Sequence, residues 1–419
     1  MNFQPPSKSL TTRDYIFIAV LVLIIIAIST GLWFANRSLP AGGGEFLRHW
    51  SAARAFVSQS IDPYSAYVPD EVQKLVYDGK AVSGEDPYIL DTPFQLLLLY
   101  FPFSLLSDPL TARAIYTLIL EWALFALAIL SLRLTGWEAP RWFTGIFFLV
   151  SVLNVYSFEA IVDASPVLIL GLFYAGILLS LRYDQDEMAG ALLAFSLYFW
   201  EAGLPFLLFI AWISYKQGRT RFLAGFFMIA TILLAVSFLL YSNWIIPYLR
   251  AGMNALRADY GFSMTTVLES LIPSYGKYIA WGIIALFVIA LGYEWNNALF
   301  GDERRFYWVA CLSIAVAPLL GFRTELENLA VLVIPLAFLL AVIYDRWSRF
   351  GSLLTFFFML MLFFAPWSLY LFAPPAFQPI ANEIIYLLFP VFTVLGLYWI
   401  RWWAIRPPRV WADSLTRSK

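Results

Sequence analysis

The chain has 419 residues, of which 61% are hydrophobic and only 13% are charged, and its formal net charge is −1. Soluble domains are typically about 45–50% apolar and about 25% charged, so this composition indicates an integral membrane protein. The near-neutral charge gives no global field for nucleic acid, and a single cysteine excludes an internal disulfide. Because the chain also has only one histidine, the sequence predicts neither a metal nor a cofactor.

Apolar segments that could each cross a membrane recur along the whole chain. A spanning helix needs about 20 mostly apolar residues. The first segment is too long for the core of a signal peptide and follows Lys8 and Arg13, so we expect a retained anchor with a cytoplasmic N-terminus. The twelve predicted spans are 15–35, 109–132, 141–157, 165–181, 188–201, 203–215, 222–241, 276–294, 306–320, 329–344, 351–372 and 384–403. The expected fold is all-α, a single polytopic membrane domain over 1–419.

The run 93–106 is apolar but short, and its length favours an interfacial or re-entrant segment over a span. Charge bias supports this interpretation, because basic residues collect on the cytoplasmic side of membrane proteins. If 93–106 does not cross, most lysines and arginines fall on the inner side, whereas a crossing would turn nearly all the later ones outward. We therefore predict a large first outer loop, 36–108, with interfacial helices, a second outer loop at 242–275, and both termini in the cytoplasm.

The stretch GGGEFLRHWSAARAF at 42–56 follows the first predicted span and contains the only histidine. As a helix, 45–57 turns one set of side chains toward lipid or the bundle: Phe46, Trp50, Ala53 and Val57. A second set faces another way: Glu45, Arg48, His49 and Ala52. This helix either lies at the interface with its polar face in water, or carries Glu45 as a general base at the mouth of a membrane cavity. In the second case His49 orients Glu45 or binds substrate. The glycines at 42–44 predict a flexible hinge.

Three motifs in the first outer loop resemble those of the large GT-C glycosyltransferases, and most of all glycosyltransferase family 87, the polyprenyl-phosphate-mannose-dependent type. The family pattern has an aspartate, Phe and an aromatic residue before Ala-Ala. EFLRHWSAA at 45–53 is similar, with Glu in place of Asp and His in place of the commoner Tyr. IDPY at 61–64 and TPF at 92–94 are similar to later parts of the pattern. The resemblance covers about 36–108, and the rest agrees mainly in span count and loop placement.

The resemblance implies an inverting sugar transfer on the outer face of the cell membrane. The donor would be a polyprenyl-phosphate-sugar, with a hexose such as mannose, and the acceptor a hydroxyl of a lipid or glycan. Glu45 would take the proton from that hydroxyl as it attacks the anomeric carbon, and the lipid phosphate would leave. The expected partners are these two substrates and membrane lipids.

The leaving phosphate needs cations, and arginine suits bidentate phosphate contacts. Arg323 is the leading candidate, because it lies in the very short outer loop 321–328, where basic residues are otherwise absent. The alternative is an Arg323–Glu327 pair one helical turn apart. Arg48 is the second candidate, since it shares a helix face with Glu45.

Further candidates lie near the predicted outer edge. Asp163 stands where the family often has Gly-Gln-x-Asn, which is missing here, and it contacts sugar or acceptor or else caps a helix. Glu201 stands where the family often has a lysine, which weakens any role carried over to it. Trp50 is the one aromatic predicted to stack on a sugar. Glu121, in the middle of a span, is predicted to have a structural role.

A transporter or flippase for a lipid-linked or small-molecule substrate is the alternative from another class. Twelve spans suit secondary transporters, which usually show two similar halves with broken helices at the midplane. The sequence shows no such internal symmetry, and its ionisable residues collect at the predicted outer edge. The sequence therefore favours the transferase.

Overall fold

The structure, a computed structural model, describes residues 12–38, 42–82, 84–258, 260–347 and 350–405. Over these residues the chain is all-α. The α-helices are α1 (Thr12–Ser38), α2 (Gly44–Gln59), α3 (Tyr67–Tyr77), α4 (Phe94–Ser104), α5 (Pro109–Thr135), α6 (Arg141–Leu153), α7 (Val155–Val162), α8 (Val167–Arg182), α9 (Asp186–Ser196), α10 (Leu204–Lys216), α11 (Thr220–Leu240), α12 (Ile245–Arg257), α13 (Met264–Leu271), α14 (Gly276–Leu299), α15 (Glu303–Val316), α16 (Val333–Arg346), α17 (Gly351–Phe372) and α18 (Gln378–Ala404). Short 3₁₀ helices are Leu197–Ala202, Ala317–Leu320, Leu326–Leu332 and Pro375–Phe377.

Helices of membrane-spanning length and apolarity confirm that this is an α-helical membrane protein. Within the described residues seven segments qualify: Thr12–Ser38, Pro109–Thr135, Thr220–Leu240, Gly276–Leu299, Leu326–Arg346, Gly351–Phe372 and Pro375–Ala404. The pair α6 and α7 would make an eighth, bent by 46°. The bend lies at Asn154, whose extended backbone breaks the helix and whose side chain accepts the Ser157 N–H at 2.9 Å, starting α7.

The predicted count of twelve spans is not confirmed. Four of the predicted segments form helices of only 16, 11, 13 and 14 residues, namely α8, α9, α10 and α15. At 1.5 Å per residue these reach about 16–24 Å, less than a hydrocarbon core of about 30 Å. α9 and α15 stop early because each continues into a 3₁₀ helix. Lys8, which helped to orient the first span, lies outside the described residues.

The helix bundle has a buried centre and an exposed edge. In the segment Leu326–Arg346, 83% of the apolar window is buried, whereas none of the α1 window is. α16 packs against α5, α15, α17 and α18, which places it in the middle. α1 contacts mainly α5 and lies at the periphery.

The predicted first outer loop folds into α2, α3 and α4 and packs into the protein. α4 has 11 residues, about 16 Å, so it is too short to span. It packs on α2, where Trp50 Nε1 donates to the Phe103 carbonyl at 3.0 Å. The interpretation of α2 as a surface helix with its polar face in water is wrong, because Arg48, His49 and Ser51 are all buried.

The glycines at the start of α2, where a flexible hinge is predicted, are tightly packed. Gly43 has φ of 79°, a conformation that favours glycine. A Cβ atom at Gly44 would lie 2.2 Å from the Tyr88 hydroxyl oxygen, so only glycine fits there. Both residues are buried.

The segment predicted as the second outer loop contributes α12 and α13. α12 is amphipathic, with Ala251 and Ala255 buried and Leu249, Met253 and Leu256 exposed. After it, Phe262 and Thr324 form an antiparallel β-bridge with two backbone hydrogen bonds of 2.8 Å. This bridge joins the second outer loop to the short loop 321–328.

Candidate functional site

A cavity of about 310 Å³ lies where segments distant in sequence meet. Its lining comes from 45–48, 91–93, 165–170, 198–202, 248–256, 260–261 and 323–328. Three of the sequence-predicted site residues line it together: Glu45, Arg48 and Arg323. The structure thus brings the proposed base and both proposed phosphate ligands to one space.

Glu45 is held as an ion by Arg48, which follows it by one turn of α2. The Arg48 Nη2 donates to the Glu45 carboxylate, and the side chains of Arg48 and Glu45 are only 8% and 13% exposed. Burial raises the pKa of Glu45, but the neighbouring charges, chiefly that of Arg48, outweigh burial and leave it below the ordinary value. Glu45 is therefore ionised at neutral pH and can accept a proton from a hydroxyl group.

Arg48 is shared by further acids. Its Nη1 lies 3.6 Å from Asp91 and 3.9 Å from Asp86, and donates to the Ile89 carbonyl at 3.4 Å. Burial raises the pKa of Asp86 to about 6, although Arg48 opposes this. One guanidinium thus serves three carboxylates, and it fixes the side of α2 that faces the cavity.

His49 orients the start of α2 and does not line the cavity. Its side chain is fully buried and stacks on Tyr100 at a centroid distance of 4.7 Å. Burial lowers the pKa of His49, so the imidazole is neutral at pH 7. Nδ1 lies 2.8 Å from the Glu45 carbonyl and must donate, so Nε2 accepts from the Thr92 hydroxyl at 3.0 Å. The predicted orienting role fits this geometry, whereas direct substrate binding does not.

Trp50 is also absent from the cavity wall. It is 2% exposed, donates to α4 through its indole N–H, and carries the Arg54 guanidinium 5.4 Å from its ring centre. The prediction that it stacks on a sugar is wrong, because α4 and Arg54 cover it. Trp50 belongs to the apolar face of α2, and this face packs against the bundle.

Arg323 lines the cavity beside Glu325 and Glu327. The alternative prediction placed Arg323 and Glu327 one turn apart on an α-helix. Leu326–Leu332 is instead a 3₁₀ helix, and Glu325 before it is extended, with φ of −108° and ψ of 166°. The α-helical spacing therefore does not apply to this loop.

Asp163 caps a helix, but that helix is α2 and not α7 or α8, which flank Asp163 in the sequence. Its Oδ1 accepts the backbone N–H of Gly44 at 2.9 Å, in the first turn of α2. The N-cap residue of α2 is Gly43, which has no side chain to fill this role. Burial, with a contribution from the charge of Glu45, raises the pKa of Asp163. Asp163 thereby fixes the turn that carries Glu45.

Two acids that the sequence did not assign to the substrate site join Asp163. The carboxylate oxygens of Asp163, Glu325 and Glu327 all lie within 4.8 Å of one another. Burial raises the pKa of Glu325 well above its ordinary value. A signal was present for Glu325, because it stands two residues after Arg323, and alternate residues of an extended segment face one side.

The cavity wall carries more acids than bases. Among its lining residues the arginines are Arg48 and Arg323, and the acids are Glu45, Asp91, Glu201, Glu325 and Glu327. Glu201, where no role was carried over, therefore also belongs to the site. An anionic ligand would meet net negative charge here unless protons or a further cation balanced the acids, and burial raises the pKa of Glu201 to about 8.

No protein-family model, curated protein or solved structure matches this chain. The case for function rests on the geometry and on the resemblance of the first outer loop.

Proposed function

We propose that the chain is a membrane glycosyltransferase of the GT-C type, similar to family 87. It moves a sugar, such as a hexose of the mannose kind, from a polyprenyl-phosphate donor to a hydroxyl of a lipid or glycan. The observation that carries the proposal is an ionised carboxylate, Glu45, held by Arg48 in a cavity that a second arginine also lines.

The charge bias of the sequence agrees with a site on the outer face. With both termini cytoplasmic and twelve crossings, the segments 36–108, 158–164, 242–275 and 321–328 are outer loops. Three of these contribute Glu45, Tyr248 and Arg323 to the cavity wall. The shorter helices α8, α9, α10 and α15 complete the crossings with polar flanks or a thinned bilayer.

A lipid-linked substrate fits the side of the cavity formed by α12. Leu249, Met253 and Leu256 line the cavity and are 55%, 56% and 74% exposed. Apolar residues that join a polar cavity to the outside suit a ligand with a polar head and a hydrocarbon tail. α12 is therefore the access route for the donor.

The chemistry follows from Glu45 and the arginines. The Glu45 carboxylate takes the proton of the acceptor hydroxyl while the hydroxyl oxygen attacks the anomeric carbon. The bond from that carbon to the phosphate oxygen breaks, and polyprenyl phosphate leaves with the electron pair. Attack from the face opposite the phosphate inverts the anomeric centre. Arg323 and Arg48 stabilise the charge on the leaving phosphate.

The test compares transfer with flux. The purified chain is placed in proteoliposomes with radiolabelled polyprenyl-phosphate-mannose and with water-soluble and lipid acceptors. We expect a glycosylated product with release of polyprenyl phosphate, which Glu45→Gln abolishes and Glu269→Gln, an exposed change on α13, leaves intact. Movement of the donor between leaflets with no product would reject the transferase and support the flippase.

A further inference from the structure

Three carboxylates from two distant parts of the chain converge beside the proposed base. Asp163 follows α7, and Glu325 and Glu327 belong to the short loop and the 3₁₀ helix after it. Their oxygens lie within 4.8 Å of one another. Two ligands at about 2.1 Å from one ion are about 4.2 Å apart when they lie opposite each other and about 3 Å apart when they are adjacent, so the three oxygens have to move closer together when they bind an ion. Oxygen donors of this kind suit Mg²⁺, Mn²⁺ and Ca²⁺.

Glu327 supplies an independent sign that something binds here. It is 6% exposed and lines the cavity. Among the described residues no ion pair includes its carboxylate, and the donor near it is its own backbone amide. A buried carboxylate without a cation is costly, and such groups are usually paired or bind a metal.

The contrast with Glu45 strengthens this argument. Glu45 lies in the same cavity wall but is balanced by Arg48. The ion pairs of Arg48 with described residues go to Glu45, Asp86 and Asp91, and none goes to the three-carboxylate cluster. Within the described residues, Glu45 is thus held by a direct ion pair to a side chain of the protein, whereas Glu327 is not.

We propose that Asp163, Glu325 and Glu327 together bind one divalent cation of the Mg²⁺ and Mn²⁺ class. This departs from the sequence-based prediction of no metal. Three carboxylates leave coordination positions for water or for phosphate oxygens, as is usual for Mg²⁺. The role of the cation rests on the proposed function: it would bridge the cluster to the donor phosphate and offset the excess of acids around it.

Binding is measured without reference to sugar transfer. The full-length chain in detergent is stripped with chelator and titrated with Mn²⁺, and the loss of the free Mn²⁺ signal is followed by electron paramagnetic resonance. We expect about one Mn²⁺ per chain in the wild type, and at least about tenfold weaker binding in Glu327→Gln and in Glu325→Gln. Glu269→Gln, an exposed acid on the same outer side, should bind as the wild type does.

The outcomes separate this proposal from the proposed function. Glu45→Gln should still bind Mn²⁺. If it does, and neither the wild type nor any variant transfers sugar, the result supports the cation site and rejects the transferase. Wild-type protein that binds no Mn²⁺, or a Glu325→Gln that binds as tightly as the wild type, overturns the site and leaves a cluster held by protons. If Glu327→Gln does not fold, Glu325→Gln and the wild-type stoichiometry still decide.

Discussion

The two halves of the cavity treat their carboxylates in opposite ways. On α2, Glu45 is paired with Arg48, and the neutral His49 is satisfied by the Glu45 carbonyl and Thr92. Across the cavity, Asp163, Glu325 and Glu327 meet with no ion pair among the described residues. Under the proposed function, the difference is one of preparation: the base is held as an ion by a side chain of the protein, whereas the three-carboxylate cluster would be balanced by a bound cation.

The largest effect on stability should come from removing Arg48, the cation that balances the acids beside α2. Arg48→Leu leaves Glu45, Asp86 and Asp91 without their guanidinium, and we expect a loss of about 3–5 kcal/mol in the free energy of unfolding. Arg54→Leu on the same helix removes a hydrogen bond to the Leu106 carbonyl and the contact with Trp50, but no acid partner. It should cost about 1–2 kcal/mol. Equal losses, measured by chemical unfolding in detergent, would contradict the paired state of Glu45.

The access route is tested on α12. Leu249→Asp places a charge where we expect the hydrocarbon chain of the donor, and it should raise KM for that donor by about tenfold with little change in kcat. Leu249 is 55% exposed, so the folded state should tolerate the change. Leu239→Asp, at an 85% exposed position on α11, is the control for a charge placed elsewhere on the apolar surface. The same rise in KM in both variants would remove the special role of α12.

Trp50→Phe separates packing from catalysis. It removes the indole N–H that bonds to Phe103, so we expect a loss of about 1 kcal/mol in stability. The rate of transfer should stay within about twofold of the wild type, since Trp50 does not line the cavity. A large fall in rate with unchanged stability would restore Trp50 as a sugar contact.

The smallest effect is a pH dependence from His49. Its folded-state pKa lies below the ordinary 6.5, so the unfolded chain binds its proton more readily. The stability due to neutral His49 is therefore present above about pH 6.5 and is lost as the pH falls toward the folded pKa. Asp86, with its pKa near 6, changes stability in the opposite sense, so the difference between wild type and His49→Gln isolates the histidine. No difference in this slope between pH 7.5 and 5.5 would contradict a buried neutral imidazole.

The sequence predicted the part of the site that lies on α2, because residues close together in the chain form it. Glu45 and Arg48 are three residues apart on a helix, and a periodicity argument suffices to place them together. The charge bias along the chain also grouped the loop of Arg323 with the first outer loop on one side. All-α membrane architecture followed from composition alone.

The features that the sequence did not predict depend on contacts between residues far apart in the chain. The cover that α4 and Thr92 place over α2 comes from residues more than 40 positions away, so the polar face of α2 looked solvent-exposed in sequence. Asp163 bonds to Gly44 across 119 positions. The count of twelve spans is not confirmed, because α9 and α15 turn into 3₁₀ helices within runs that remain apolar.

The central claim is that Glu45 is the base of a sugar transfer. Its most direct test is the rate of product formation by Glu45→Gln relative to Glu269→Gln, with saturating donor at pH 7. We predict a fall of about 10²–10⁴-fold in Glu45→Gln, the usual contribution of a positioned general base, with its stability retained because Arg48 keeps Asp86 and Asp91. A Glu45→Gln rate within about twofold of Glu269→Gln would contradict the account.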